Sequence, residues 1–278
     1  MQSGKRIGLV ATDLDGTLLR NDKSISEADL AMLKYLGERQ IFRVVATGRN
    51  FSKVREVLSD HVPVDYVAFS SGAGVYDCRN EELIYARNIA VETVNRLSNV
   101  LIGKGVGFYL FREVPLNAYC WYYQGKNACE EFDRYLGLHT DVVEKLPASG
   151  NVASGASQFL VIFKHAAQFL ELKEELALHF YDLKIVRATS PFETGYTWME
   201  IFHHDVSKGN AVRFLCDRLN VERAATLGIG NDYNDLDLLD FTSYSYLVDN
   251  GPEELKRKYR PAPSNEDSAF SSCLRDHL

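Results

Sequence analysis

Ile7-Gly8-Leu9-Val10-Ala11-Thr12-Asp13-Leu14-Asp15-Gly16-Thr17 is the stretch on which the fold turns. Ile7 to Ala11 is a continuous apolar run bounded by polar residues, the pattern of a strand buried on both faces in a parallel sheet. Asp13 falls where that strand ends and Asp15 follows one residue on. Gly16 lets the chain turn sharply beside the two carboxylates. Taken alone, such a loop fits a solvated turn or the opening of a calcium loop. The calcium reading fails on detail, because an EF-hand needs glycine at loop position six and glutamate at twelve, where this chain has Leu18 and Ser24.

Outward from this strand, Ser26 and Asp29 resemble a capping box, followed by the helical stripe Leu30, Leu33 and Leu36 and a second apolar run at Phe42 to Ala46. Val54, Val57 and Leu58 give one more helical stripe, and Tyr66 to Phe69 another short buried strand. The alternation predicts an α/β fold, an open, Rossmann-like, doubly wound parallel sheet. Between about Tyr85 and Thr189 the pattern changes to strands with interleaved aromatic and polar residues, at Gly107 to Phe111 and Ala118 to Tyr123, with helices near 92–103 and 167–180. This reads as an inserted α+β domain, giving a core of residues 1–84 and 190–278 and an insert of residues 85–189. After it, Ser207 opens a helix with the stripe Ala211, Phe214, Leu215 and Leu219, then come a strand at Ala225 to Ile229 and a polar turn at Gly230 to Asp235.

Ligands of open α/β sheets gather at the carboxyl ends of the strands. Four polar clusters sit there: Asp13-Leu14-Asp15-Gly16-Thr17, Thr47-Gly48-Arg49, Ser207-Lys208-Gly209 and Gly230-Asn231-Asp232-Tyr233-Asn234-Asp235. Together they supply the parts of phosphoryl transfer. A carboxylate approaching a phosphate dianion meets a repulsion of about 4 kcal/mol per pair of unit charges at 4 Å and an effective dielectric of 20. A magnesium ion held by carboxylates and water would offset it, with Lys208 fixing phosphate and nucleophile and Thr47 donating to a phosphate oxygen. A lysine at a helix start opposes the helix dipole, which points to an anionic partner for Lys208.

The ordered set Asp13-x-Asp15-Gly16-Thr17, Thr47-Gly48-Arg49, Ser207-Lys208-Gly209 and Gly230-x-x-x-Asn234-Asp235 resembles the haloacid dehalogenase superfamily, and more narrowly its Cof-type sugar-phosphatase branch, in which a large α/β cap is inserted after the third core strand. The likeness spans nearly the whole chain, including Gly72-Ala73, Glu200-Ile201 and Pro263-Ser264-Asn265. It implies that Asp13 attacks phosphorus to form an aspartyl-phosphate, and that Asp15 protonates the leaving oxygen and then activates water. It further implies phosphate and substrate binding at Thr47, Gly48, Arg49, Lys208, Ser71, Gly72 and Asn234. Magnesium would be bound among Asp13, the backbone carbonyl of Asp15, Asn231, Asp232 and Asp235. Two positions depart from the family pattern. Asn231 stands where the last motif usually has its first aspartate, with Asp232 next to it, so either supplies the ligand. Ser71 stands where the branch commonly has asparagine. The expected activity is hydrolysis of small phosphorylated metabolites, sugar phosphates above all; the alternatives are a phosphotransferase or mutase on the same scaffold and a binding relative without turnover.

The bulk composition, 46% hydrophobic and 25% charged, is that of an ordinary soluble globular protein. A formal net charge of -7 over 278 residues disfavours nucleic acid and anionic membranes as partners. No apolar stretch approaches the roughly 18 residues needed to span a bilayer, and the start Met1-Gln2-Ser3-Gly4-Lys5-Arg6 leads into a run ending in Asp13, unlike a secretory leader. The expected location is the cytoplasm, where the five widely spaced cysteines would be free thiols. The aromatic series Tyr119, Trp121, Tyr122 and Tyr123 is expected to pack a sheet, and Gly228-x-Gly230 is too short for a dinucleotide site. His203 and His204, adjacent on a strand, are expected to point to opposite faces and so not to share one ion.

Overall fold

The computed structural model describes residues 6–59, 61–126, 128–190, 192 and 194–278. The five residues ahead of Arg6, read above against a leader, lie outside them. The chain forms two compact units, Met1–Tyr85 with Ser207–Leu278, and Ala86–Val206. The first contains β1 (Leu9–Thr12), α1 (Glu27–Glu38), β2 (Phe42–Ala46), α2 (Phe51–Val57), β3 (Tyr66–Phe69), β4 (Gly74–Asp77) and β5 (Glu82–Ala86). The second contains α3 (Val91–Gly103), β6 (Phe108–Phe111), β7 (Cys120–Tyr123), α4 (Glu130–Leu138), β8 (Val143–Lys145), β9 (Gln158–Phe163), α5 (Ala166–Ala177), β10 (Leu183–Thr189) and β11 (Thr197–His203). The first unit then resumes with α6 (Lys208–Leu219), β12 (Thr226–Gly230), α7 (Leu236–Phe241), β13 (Tyr244–Val248), α8 (Glu253–Lys256), β14 (Arg260–Ala262) and α9 (Ala269–Leu274).

The first unit is built on a sheet of order β14-β13-β12-β1-β2-β3-β4-β5, parallel from β14 to β3, with β4 turned back antiparallel on β3. β1 lies in the interior between β2 and β12, which is why its residues are apolar without alternation. On one face Leu9, Ala11, Val44, Ala46 and Ala68 pack against Ala211, Val212 and Leu215 of α6 and Leu238 of α7. The alternate residues Val10 and Val45 are as deeply buried, so both faces are covered. Ser26 caps α1 by accepting the Asp29 N–H at 3.0 Å. The Asp29 carboxylate accepts instead from the Ser271 N–H of α9 at 2.8 Å, so the second half of the expected capping box ties two helices together.

The second unit has a sheet of order β10-β11-β9-β6-β7-β8, antiparallel except for β7 and β8. Val94, Leu97 and Leu101 of α3 and Phe169, Leu172 and Leu176 of α5 bury one face, and Phe132 of α4 packs on the other against Tyr109, Leu160, Ile162 and Trp198. Trp121 and Tyr123 pack with the first of these cores and Tyr122 with the second, whereas Tyr119 is exposed.

The expected return from the insert at residue 190 falls 17 residues short of the boundary at Val206–Ser207. The cause is β11. Its apolar run reads like a strand of the core, yet it pairs antiparallel with both β10 and β9 and forms an inner strand of the second sheet.

Within β11, part-buried Glu200 lies opposite Val186 and Leu160, and burial pushes its carboxyl from 4.5 up to about 7. A carboxyl raised on folding stabilises most below its unfolded value and loses that contribution as pH rises through 7. Glu200→Gln should therefore gain on the native protein by about 1–2 kcal/mol between pH 5 and pH 8, a figure reduced for the solvent this side chain still reaches. Urea unfolding at the two pH values measures this, and parallel pH profiles of the two proteins would refute it.

Candidate active site

Three parallel strand ends and one helix start assemble the site. Asp13 directly follows β1, and its backbone N–H donates to the Ile229 carbonyl of β12, which fixes the loop against the neighbouring strand. Gly16 takes a φ of +72°, and its carbonyl accepts from Asn250 Nδ2 at 2.9 Å. Asp13 Oδ2 accepts from Thr17 Oγ1 at 3.2 Å, so the turn returns to hold the carboxylate at its start.

Lys208 opens α6 behind the capping Ser207 and is 1% exposed. Its ammonium stands 2.6 Å from Asp13 Oδ1 and 2.6 Å from Asp235 Oδ1. Burial alone would lower its pKa, but the two carboxylates hold it above its ordinary value. For Asp13, burial and the charge of Asp235 outweigh Lys208 and push the carboxyl up to about 7. Two buried carboxylates thus share one ammonium, and Asp13 responds by holding its proton more tightly. The anionic partner anticipated for Lys208 is provided within the fold by these two aspartates.

Asp235 Oδ2 accepts the backbone N–H groups of Asn231 at 2.9 Å and Asp232 at 3.1 Å, which shapes the whole last loop. The Asn231 amide lies against the same two carboxylates, its Nδ2 donating to Asp235 Oδ2 at 3.3 Å and to Asp13 Oδ2 at 3.2 Å. The carboxylates of Asp13 and Asp235 and, with the amide turned over, the Asn231 oxygen form an all-oxygen donor set suited to a hard divalent cation. The residues present therefore fit such an ion. Asp232 instead uses Oδ1 to accept the Tyr233 N–H at 2.7 Å, capping its own turn.

Thr47 ends β2's extension and is buried, accepting the Arg49 N–H on Oγ1 at 3.1 Å. Arg49 forks onto Asp15 with Nε–Oδ2 2.6 Å and Nη2–Oδ1 2.7 Å, and Lys23 Nζ reaches Asp15 Oδ1 at 3.0 Å. Against the burial that would raise it, these hydrogen bonds hold the Asp15 carboxyl below its ordinary value, hence ionised. Asp13, Asp15, Thr47, Gly48, Arg49, Asn231, Asp232 and Asn234 line one cleft of about 310 Å³. Lys208 and Asp235 lie beneath it. Ser71 Oγ approaches Gly48, whereas Gly72 is buried away from the lining.

Gly72 has a different use. Its φ is +94°, and a Cβ there would stand 2.2 Å from the Ser207 carbonyl oxygen. Gly72→Ala should cost about 3 kcal/mol of stability and displace the start of α6 that carries Lys208. Denaturant unfolding checks this, and wild-type stability in the variant would contradict the close approach. Thr17, Lys23 and Asn250 also join the site. Thr17 was within reach as part of the first cluster, but Lys23 and Asn250 arrive through turns that carry no motif.

A family model described as haloacid dehalogenase-like hydrolase matches residues 10–270. The chain is 25% identical over 250 residues to the HMP-PP phosphatase of Serratia proteamaculans, covering 89% of this chain and 86% of that one. A phosphatase of the haloalkanoate superfamily from Bacteroides thetaiotaomicron superposes with a TM-score of 0.81 at 18% identity, covering 100% of this chain and 97% of that one. A subclass IIB sugar phosphatase superposes with a TM-score of 0.73 at 16% identity, over 96% and 98% of the two chains. No helix among the described residues is long and apolar enough to cross a membrane.

Proposed function

The chain belongs to the haloacid dehalogenase-like hydrolases and is a phosphatase, and from that premise we propose that it hydrolyses small phosphate monoesters, sugar phosphates among them, through an aspartyl-phosphate on Asp13. The observation that carries this reading is the Asp13–Lys208–Asp235 arrangement at the floor of the cleft. Lys208 orients Asp13 by gripping Oδ1, leaving Oδ2 toward the cleft side with Thr17 and Asn231. Attack by an Asp13 oxygen on phosphorus forms the acyl phosphate and expels the ester oxygen. Thr47, the Gly48 backbone and Arg49 bind the phosphoryl oxygens, with Ser71 and Asn234 at the edge of the substrate.

Asp15 delivers the proton to the leaving oxygen and later takes one from the water that attacks the acyl phosphate. Arg49 is shared between two tasks. A phosphate dianion competing for its guanidinium removes the main interaction that keeps Asp15 ionised, so substrate binding itself prepares the acid. Asp13, the Asp15 carbonyl and Asn231 would hold magnesium, with Asp235 and Asp232 on its waters, and its charge would offset the repulsion between Asp13 and the phosphate dianion. The inserted unit, Ala86–Val206, serves as the cap that selects the substrate.

Asn231 and Asp232 separate on this reading. Asn231→Ala should raise the magnesium concentration for half-maximal rate tenfold or more, an expectation of about the size seen for disturbed metal shells. Asp232→Ala should shift it much less. Magnesium titration of both variants decides it, and the opposite ranking would move the ligand to Asp232.

The overall test is phosphate release from a panel of monoesters, with magnesium present, removed by chelation and restored. Magnesium-dependent release supports the proposal. No release from any ester by metal-replete protein would contradict it, and transfer of the phosphoryl group to an added alcohol in preference to water would make the chain a phosphotransferase.

A further inference from the structure

His203 is the last residue of β11, and His204 and Asp205 form a turn instead of prolonging the strand. The alternation that would send adjacent imidazoles to opposite faces stops there. The two rings stack, with centroids 4.4 Å apart and planes 30° apart. Asp205 completes the group, with Oδ1 3.2 Å from His204 Nε2 and Oδ2 3.9 Å from His203 Nδ1. One donor atom from each of the three residues lies within 4.8 Å of the other two.

His204 Nδ1 lies 3.3 Å from the Asp182 carbonyl oxygen, and a proton donated there would leave Nε2, 3.2 Å from Asp205 Oδ1, to ligate a metal beside that carboxylate. His203 Nδ1 accepts the Asp205 N–H at 3.2 Å, a hydrogen bond that an ion at this nitrogen would displace. Two imidazoles and one carboxylate are donors suited to zinc and its neighbours in the first transition row, while magnesium prefers oxygen alone.

We propose that His203, His204 and Asp205 form a site for a divalent transition metal of the zinc class, built wholly from the inserted unit and distinct in chemistry from the oxygen-lined phosphate site. Donors in a tetrahedral zinc site stand about 3.3 Å apart, a spacing that modest side-chain rotations reach from the present one. The ion takes the place of Arg87, whose Nε lies 3.8 Å from Asp205 Oδ2, as the positive partner of that carboxylate. Water completes the coordination. The site sits on the segment that leads out of the insert, two residues before Ser207, so it would brace that connection.

The test is zinc binding to metal-stripped full-length protein in excess magnesium, followed by calorimetry, with cobalt absorption to report nitrogen ligation. One equivalent of zinc is expected, retained in Asp13→Asn and weakened at least about tenfold in His203→Ala, His204→Ala and Asp205→Asn. Circular dichroism and magnesium-dependent turnover of the three variants establish that they are folded. No zinc binding would overturn the proposal. So would an equivalent that Asp13→Asn abolishes, or one that His203→Ala and His204→Ala both keep.

Discussion

Lys208→Met is expected to destabilise the protein by about 3–5 kcal/mol and to reduce turnover by at least about a thousandfold. Both effects have one origin. The ammonium is the buried counter-charge of Asp13 and Asp235, each 2.6 Å away, and all three side chains are nearly or wholly shielded from solvent. Without it, two carboxylates remain buried side by side, and at least one must take up a proton to reduce the repulsion. A second change separates stability from chemistry. Asp235→Asn added to Lys208→Met removes one of the unpaired charges and should restore part of the lost stability, with turnover staying low. Urea unfolding and steady-state kinetics on the single and double variants give the comparison. A Lys208→Met protein as stable as the parent would show that the ammonium is not the charge partner the fold requires.

Asp13→Asn is expected to lower kcat by about ten-thousandfold or more, with the fold intact. Asparagine keeps the shape of the side chain and, through its amide oxygen, the contact with Lys208, but lacks the nucleophilic oxygen charge. Stability should hold or rise. The native carboxyl is already pushed up to about 7 by burial and by Asp235, so a neutral side chain is what this position favours without substrate. The sign is useful, because loss of activity with stability retained cannot be attributed to unfolding. Steady-state kinetics beside denaturant unfolding measures both. Turnover near the parent's would exclude Asp13 as the attacking group.

Fold and site are most legible in the sequence where local chemistry and long-range geometry coincide. β1 has no alternation because strands flank it on both sides, and the polar residues just beyond β1, β2 and β12 necessarily meet at one edge of a parallel sheet. The end of the insert was not legible, because an apolar run such as Thr197–His203 looks the same in either sheet and only pairing partners assign it. Family likeness puts Gly72 near the substrate, and its backbone conformation and the Ser207 carbonyl add a structural need for glycine that the sequence does not display. Asn231 and Asp232 could not be ranked from spacing. Which side chain turns inward depends on two backbone N–H groups captured by Asp235, a contact within a loop that has no periodicity. The stacking of His203 on His204 was not legible for a simpler reason: the face rule for strands applies only while the strand continues, and β11 ends between them.

Phosphorylation of Asp13 is the centre of the account, and rapid acid quench tests it most directly. The protein is mixed with a radiolabelled phosphate monoester and magnesium, quenched within one turnover and digested. The account predicts label on the peptide that contains Asp13, decaying in step with phosphate release and missing in Asp13→Asn. Phosphate release in the first turnover from a protein that never carries label on that peptide would contradict it.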